Sequence, residues 1–339
     1  MTDTIKVAVI GAGVMGKNHL KTYKSLPNVE LIGVYDIFPE AAENAAKMFG
    51  IKAFSSMEEV AKSVNAVSVV TTSTTHADVG EFFLNHGIHC LIEKPLATTE
   101  EECMRLINAA KKNNVTLLVG HIERFNPAVE QMSKILSDTS KIRSLTAQRM
   151  SAASGRITDV DVAMDLMIHD VEVIQSLVKS PVVNVQACSV KTADKPEGKD
   201  YISALLEFEN GTTANLTASR ITQARVRTLT VTTDTNYIDM DFINQSINVH
   251  SQGRMPYVNQ ESIPDWMNYG LKGSVEQLFI PTNQPLSAEL SHFMACIRGE
   301  ATPRITGESA LNALRVIWEI QRKLGFIKNK QESSLKLVA

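Results

Sequence analysis

Residues 5–16 read Ile5-Lys6-Val7-Ala8-Val9-Ile10-Gly11-Ala12-Gly13-Val14-Met15-Gly16. An apolar run of strand length ends in glycines spaced Gly-x-Gly-x-x-Gly, and a helical pattern over 17–25 follows. Alone, that spacing arises by chance. Between a strand and a helix it marks a turn that binds a dinucleotide. Gly11 permits the tight turn, Gly13 lets the main chain approach a pyrophosphate, and Gly16 lets the helix pack closely on its strand. The helix start, with the N–H groups of Val14 and Met15, offers phosphate oxygens free donors and about half a positive charge. Asp36 lies 20 residues beyond Gly16, at the end of the next apolar run. A carboxylate there accepts hydrogen bonds from the adenosine ribose. Ile37, not a cation, follows it. A 2′-phosphate would face Asp36 without a counter-charge, so NAD is expected over NADP.

From this turn outward, short apolar runs at 7–10, 31–35, 66–70, 89–92 and 116–119 alternate with helical patterns at 17–25, 39–49, 57–63, 77–85 and 100–113. Such alternation predicts an α/β domain, a parallel sheet with helices on both faces, over residues 1–121. After Gly120 the pattern changes. Helical patterns at 127–136 and 161–178 precede strand-like runs at 142–149, 182–191, 202–209, 212–220, 226–233 and 236–242. Asn210-Gly211 is a strong hairpin signal and Asp234-Thr235 a weaker one. Residues 122–327 therefore read as an α+β domain with a large, mostly antiparallel open sheet. Residues 251–285, rich in Pro, Gly and Asn, read as a long irregular excursion. Helices are expected at 287–298 and 308–324, with a polar tail over 328–339.

The 339 residues are 44% hydrophobic and 21% charged, with a formal net charge of -3. That is globular composition, and it lacks the concentrated positive field of a general nucleic-acid or membrane-surface binder. The start Met-Thr-Asp-Thr has no basic leader region, and no apolar run reaches the ~18 residues of a membrane span. Cys90, Cys103, Cys188 and Cys296 form no CxxC pair and no zinc spacing. The expectation is four reduced thiols, no metal, and a cytoplasmic location.

Two further clusters carry chemistry. Glu93-Lys94-Pro95 follows the strand at 89–92, and ligands of open α/β sheets bind beyond strand carboxyl ends. A lysine there favours a forming alkoxide, or is an ordinary loop lysine. Asp165 and His169, four apart, share one face of the expected helix at 161–178. A neutral imidazole can take a proton from an alcohol while a carboxylate one turn away orients it, or the two form an ordinary helix pair.

Taken in order, Gly11-x-Gly13-x-x-Gly16-x-x-His19, Glu93-Lys94-Pro95 and Asp165-x-x-x-His169 resemble the Gfo/Idh/MocA oxidoreductases over nearly the whole chain. The resemblance implies catalytic roles for Lys94 and His169, with Asp165 beside the latter, and a cis Lys94–Pro95 bond. It implies a loop beneath the nicotinamide at Thr71-Thr72-Ser73-Thr74-Thr75-His76, where hydroxyl residues replace the usual Pro-Asn pair. Thr72, Ser73 and His76 are its cofactor contacts, with Glu93 and Lys94 beside them. It also implies that the C-terminal helix pair packs back on the first domain, and a homo-oligomer, dimer or tetramer, paired through the open sheet.

Gly120-His121-Ile122-Glu123-Arg124-Phe125-Asn126-Pro127 and Gly155-Arg156-Ile157-Thr158-Asp159-Val160 are similar to the branch that oxidises the 3-hydroxyl of UDP-N-acetylglucosamine. A 3-keto product would feed 3-amino-sugar synthesis for lipid A or surface polysaccharide. Arg124 and Arg156 are then phosphate partners, guanidinium being suited to bidentate contact, or they form ion pairs within the protein. Asn126 joins Asp165 and His169 at the substrate. In this scheme His169 removes the hydroxyl proton, or Lys94 does. The alternatives are a dehydrogenase of another sugar, of a nucleotide-uronic acid or of a cyclitol, and a dinucleotide-binding sensor without chemistry.

Overall fold

The computed structural model describes residues 4–136, 142–152, 160–191, 196–252 and 273–327. In chain order the elements begin β1 (Ile5–Ile10), α1 (Val14–Ser25), β2 (Val29–Tyr35), α2 (Pro39–Phe49), β3 (Lys52–Ala53), α3 (Met57–Ala61), β4 (Ala66–Val69), α4 (His76–Asn85), β5 (His89–Glu93), α5 (Glu100–Asn113) and β6 (Leu117–Gly120). There follow α6 (Pro127–Ile135), β7 (Ile142–Met150), α7 (Ile168–Val178), β8 (Val182–Ser189), β9 (Tyr201–Phe208), β10 (Thr213–Ser219), β11 (Val226–Thr233), β12 (Asn236–Asp241), β13 (Ser246–Gln252) and β14 (Gly273–Leu278). The helices α8 (Pro285–Ile297) and α9 (Gly307–Lys323) complete the order. Two compact units result, Met1–Phe125 with Asn283–Arg315, and Asn126–Thr282 with Val316–Ala339.

The first unit holds a six-stranded sheet in the order β3-β2-β1-β4-β5-β6, parallel at every pairing. Val7, Ala8, Val9, Ala66, Val67, Cys90, Leu91 and Ile92 are fully buried, as strands covered on both faces require. That burial makes these strands readable as unbroken apolar runs. The order reverses between β1 and β4, so their following loops diverge and leave a crevice at the carboxyl ends. On one side Leu20 and Tyr23 of α1 share a core with Leu290, Phe293 and Met294 of α8. Within it the Tyr23 hydroxyl and Ser68 Oγ are hydrogen-bonded at 2.7 Å. Thr99 and Glu102 form a reciprocal capping box at the start of α5, fixing where that helix begins. The two-residue β3 is too short to leave a sequence pattern.

The second unit carries an eight-stranded sheet, β14-β13-β12-β11-β7-β10-β9-β8, antiparallel except for β7 with β10. Burial alternates along its strands; in β9 every second residue, Ile202, Ala204, Leu206 and Phe208, is buried. One face is therefore core. The other carries Thr146, Gln148, Thr228, Thr230, Thr232 and Tyr237 around a shallow depression. At the Asn210-Gly211 turn, Gly211 adopts φ +85° and donates to the Phe208 carbonyl at 2.9 Å.

Two expectations need correction. Part of 251–285 is not irregular: β14 pairs antiparallel with β13 at the sheet edge, while 253–272 lie outside the described residues. Strand pairing satisfies main-chain groups whatever the side chains are, and Ile247 supplies a buried anchor in β13. Cross-strand bonds from Asn248 and His250 to Asp239, at 2.9 and 2.7 Å, add to it. The helix at 161–178 is also not uniform, since Ala163–Met167 wind as a π-turn before α7 begins. Among the described residues no helix is long and apolar enough to cross a membrane.

Candidate active site

The glycine turn connects β1 to α1. Gly11 has φ +106°, and a Cβ there would stand 2.4 Å from the Val70 carbonyl oxygen. At Gly16 a Cβ would meet the Gly11 carbonyl oxygen. At Gly13 nothing lies within 4 Å of that position. Gly13 is exposed and is the N-cap of α1, with no side-chain cap and no acidic residue in the first turn. Gly11 and Gly16 are demanded by the fold itself; Gly13 instead opens an uncapped, positive helix end to solvent. This cradle fits a pyrophosphate.

Asp36, at the end of β2, does more than its spacing indicates. Its Oδ2 accepts from Ala12 N–H at 2.7 Å and its Oδ1 from Phe38 N–H at 2.9 Å, which pins the glycine turn to the β2 end. Each oxygen keeps a second lone pair for a ribose hydroxyl. Ile37 and Phe38 beside it are largely exposed apolar side chains.

After β4, Ser73–Thr75 form a single 3-10 turn leading into α4. Thr72 is exposed and Ser73 half-buried. His76 is buried, and its Nδ1 lies 2.8 Å from the Pro95 carbonyl and its Nε2 3.3 Å from that of Thr71. Its ring thus joins two loops at the crevice, and burial lowers its proton affinity. The Lys94–Pro95 bond is cis.

Glu93 ends β5, and Lys94 beyond it is half-buried. Glu93 Oε1 accepts from His19 Nε2 at 3.1 Å, and Oε2 accepts from the Lys94 main-chain N–H at 3.2 Å. Burial opposes the Glu93 charge, but the His19 bond and the nearby Lys94 outweigh it and hold the carboxyl below its usual range. Past β6, His121 is buried near Lys94, Glu93 and Arg124. Burial first, then the Lys94 charge, push its pKa down to about 3. His121 carries no role in the sequence motifs; its signal is a histidine placed directly after a buried strand, at the carboxyl edge.

In the second unit, Asp161 is buried and organises the π-turn. Its Oδ1 accepts from the N–H groups of Ala163 and Met164 at 2.9 and 3.1 Å, and its Oδ2 accepts from Gln321 Nε2 at 2.7 Å. Asp165 falls in the π-turn and His169 in the first turn of α7, both half-buried. π-turns inside helices recur at functional sites. Next to His169, Asp170 takes Arg149 in a buried bidentate pair, with contacts of 2.8–3.1 Å. Asn126 caps α6 by accepting from Ala128 N–H at 3.1 Å, and it donates to the Phe242 carbonyl at 3.0 Å. Arg124 is half-buried. Arg156 lies outside the described residues.

The structure thus gathers Gly11, Gly13, Gly16, Asp36, Thr72, Ser73, His76, Glu93, Lys94 and Arg124 into the first unit, and Asn126, Asp165 and His169 into the second. No group of three or more His, Cys, Asp or Glu among the described residues is placed to hold a metal.

Residues 5–121 match the oxidoreductase family with an NAD-binding Rossmann fold, and residues 143–238 match the Gfo/Idh/MocA C-terminal domain. A UDP-N-acetylglucosamine 3-dehydrogenase of Acidithiobacillus ferrooxidans is 33% identical over 264 residues, 76% of this chain and 82% of the relative. A solved structure of that dehydrogenase superposes with TM-score 0.86 at 29% identity, covering 96% of this chain and 99% of the other. An inositol 2-dehydrogenase of Rhizobium meliloti is 27% identical over 230 residues, 64% of this chain and 69% of the relative. The chain belongs to the Gfo/Idh/MocA family of oxidoreductases.

Proposed function

We propose that this protein oxidises the 3-hydroxyl of a UDP-linked sugar, UDP-N-acetylglucosamine, to the 3-keto derivative with NAD. One observation carries the substrate: likeness to the UDP-N-acetylglucosamine 3-dehydrogenase extends through both units, in sequence and in fold. The open cradle at Gly13 and the α1 terminus would hold the pyrophosphate, Asp36 the adenosine ribose, and Thr72 and Ser73 the loop beside the nicotinamide. The Asp36 carboxylate followed by Ile37 disfavours a 2′-phosphate, supporting NAD over NADP. Bound NAD⁺ supplies the hydride acceptor.

The chain's own residues handle the proton and the charge. Lys94 donates a hydrogen bond to the reacting hydroxyl and favours its oxygen as negative charge develops. His169 takes the hydroxyl proton, with Asp165 orienting the imidazole. Arg124 meets a phosphate of the nucleotide, with Arg156 in support. A homo-oligomer, dimer or tetramer, forms through the polar outer face of the eight-stranded sheet.

Likeness to inositol 2-dehydrogenases supports one other reading, a cyclitol as substrate. The test is NADH formation by the purified protein with UDP-N-acetylglucosamine, UDP-glucose, UDP-glucuronate, free N-acetylglucosamine and myo-inositol. Turnover confined to UDP-N-acetylglucosamine is expected. Turnover of myo-inositol alone would sink the proposal in favour of the cyclitol.

A further inference from the structure

We propose that His19 and Glu93 are positioning residues for Lys94, acting from beneath the sheet edge, and that Gly120 keeps open the space in which the Glu93 carboxylate lies. The inference rests on Lys94 meeting the reacting hydroxyl, as proposed above. Both Glu93 oxygens are taken from within the protein, one by the His19 ring and one by the main chain of Lys94 itself. His19 is fully buried, set edge-on to Tyr23 at 6.4 Å. Its Nδ1 meets no hydrogen-bond partner among the described residues, so the bond to Glu93 is what orients the ring. On the neighbouring strand Gly120 pairs with Glu93. A Cβ at 120 would lie 3.1 Å from the Glu93 carboxyl carbon and 3.2 Å from its Oε2.

A buried carboxylate is costly unless its hydrogen bonds and counter-charges are in place. Here they are, and the charge acts on its neighbours. Lys94 favours the anionic form of Glu93. Other titratable or charged groups near this edge include His76 from α4, and His121, Glu123 and Arg124 beyond β6; Glu93 attracts protons to both histidines. Burial opposes charge on both histidines, and Lys94 is the cation whose own main chain Glu93 holds. His19 fixes where that negative charge sits, and the bond to Lys94 N–H ties the charge to the peptide whose side chain it governs.

The labelling arm of the test reads the amine directly and needs no substrate. Full-length wild-type protein, Glu93→Gln, His19→Gln, His19→Leu and Gly120→Ala are labelled with a limiting amine-acylating reagent. Lys94 acylation is followed by mass spectrometry against exposed Lys17, with NADH affinity from fluorescence alongside. In Glu93→Gln and His19→Leu, Lys94 should label about three- to tenfold faster, because the main chain that carries it loses its anchor to the Glu93 carboxylate and the side chain is held less closely in place. NADH affinity should stay within about twofold and kcat fall about tenfold. His19→Gln, which keeps an N–H donor, should label more slowly than His19→Leu. Gly120→Ala should resemble Glu93→Gln. Unchanged Lys94 labelling in Glu93→Gln overturns the proposal. So does lost NADH affinity with unchanged labelling, which returns Glu93 to direct cofactor contact. A wild-type protein inert toward UDP-N-acetylglucosamine would count against the proposed substrate and leave the labelling result standing on its own.

Discussion

Two glycines of one turn separate fold from function. At Gly11 a methyl would strike the Val70 carbonyl on a backbone with φ +106°. Gly11→Ala should therefore destabilise the protein by about 1–3 kcal/mol. At Gly13 the same methyl meets open space. Gly13→Ala should leave thermal unfolding within about 2 °C of wild type yet weaken NADH binding about tenfold, read by fluorescence titration. If both variants bind NADH normally, the pyrophosphate does not lie on this turn. For the chemistry, His169→Asn and Lys94→Met should each lower kcat by about a hundredfold or more, with the KM for NAD nearly unchanged in steady-state assays. His121 gives a pH signature. Its pKa is raised in the unfolded chain relative to the folded one, from about 3 to 6.5. The unfolded state thus binds the extra proton, and the stability His121 contributes is full above pH 6.5 and is lost as pH falls toward 3. Urea unfolding at pH 7, 5.5 and 4.5 should show a steeper acid loss in wild type than in His121→Gln.

Among elements, legibility followed the source of each one's stability. Strands β1, β4, β5 and β6 are buried on both faces, and their apolar runs announce them. Residues 273–278 and the end of β13 are held by main-chain pairing near a sheet edge, with Ile247 as a buried anchor, so the composition of 251–285 reads as loop. The π-turn depends on Asp161, which is tied to Gln321, 160 residues away. The site divides the same way. The glycine turn, Asp36 and Lys94 stand in local patterns. The His19–Glu93 bond spans 74 residues, and no local spacing encodes it. Helix α8 shows the same long reach, because Phe293 joins the core of α1 and β1. Phe293→Ala should cost about 3–5 kcal/mol, and calorimetry should show an early unfolding step accompanied by loss of NADH binding.

For the whole molecule, the unusual surface is the outer face of the eight-stranded sheet. Thr146, Gln148, Thr228, Thr230 and Thr232 form a band of short hydroxyl and amide side chains with few charges, suited to meeting an identical face. Thr230→Arg should convert the proposed dimer or tetramer to a smaller species in light scattering, with each chain still folded by circular dichroism. An unchanged mass would place the contact elsewhere. Chemistry on a nucleotide-linked hydroxyl remains the claim on which the functional roles depend, and hydride transfer can be followed atom by atom. UDP-N-acetylglucosamine carrying deuterium at C3 should pass that deuterium to the nicotinamide ring of NAD⁺, detected by mass spectrometry of the reduced cofactor. Reduced cofactor without deuterium, or none formed at all, would contradict oxidation at C3.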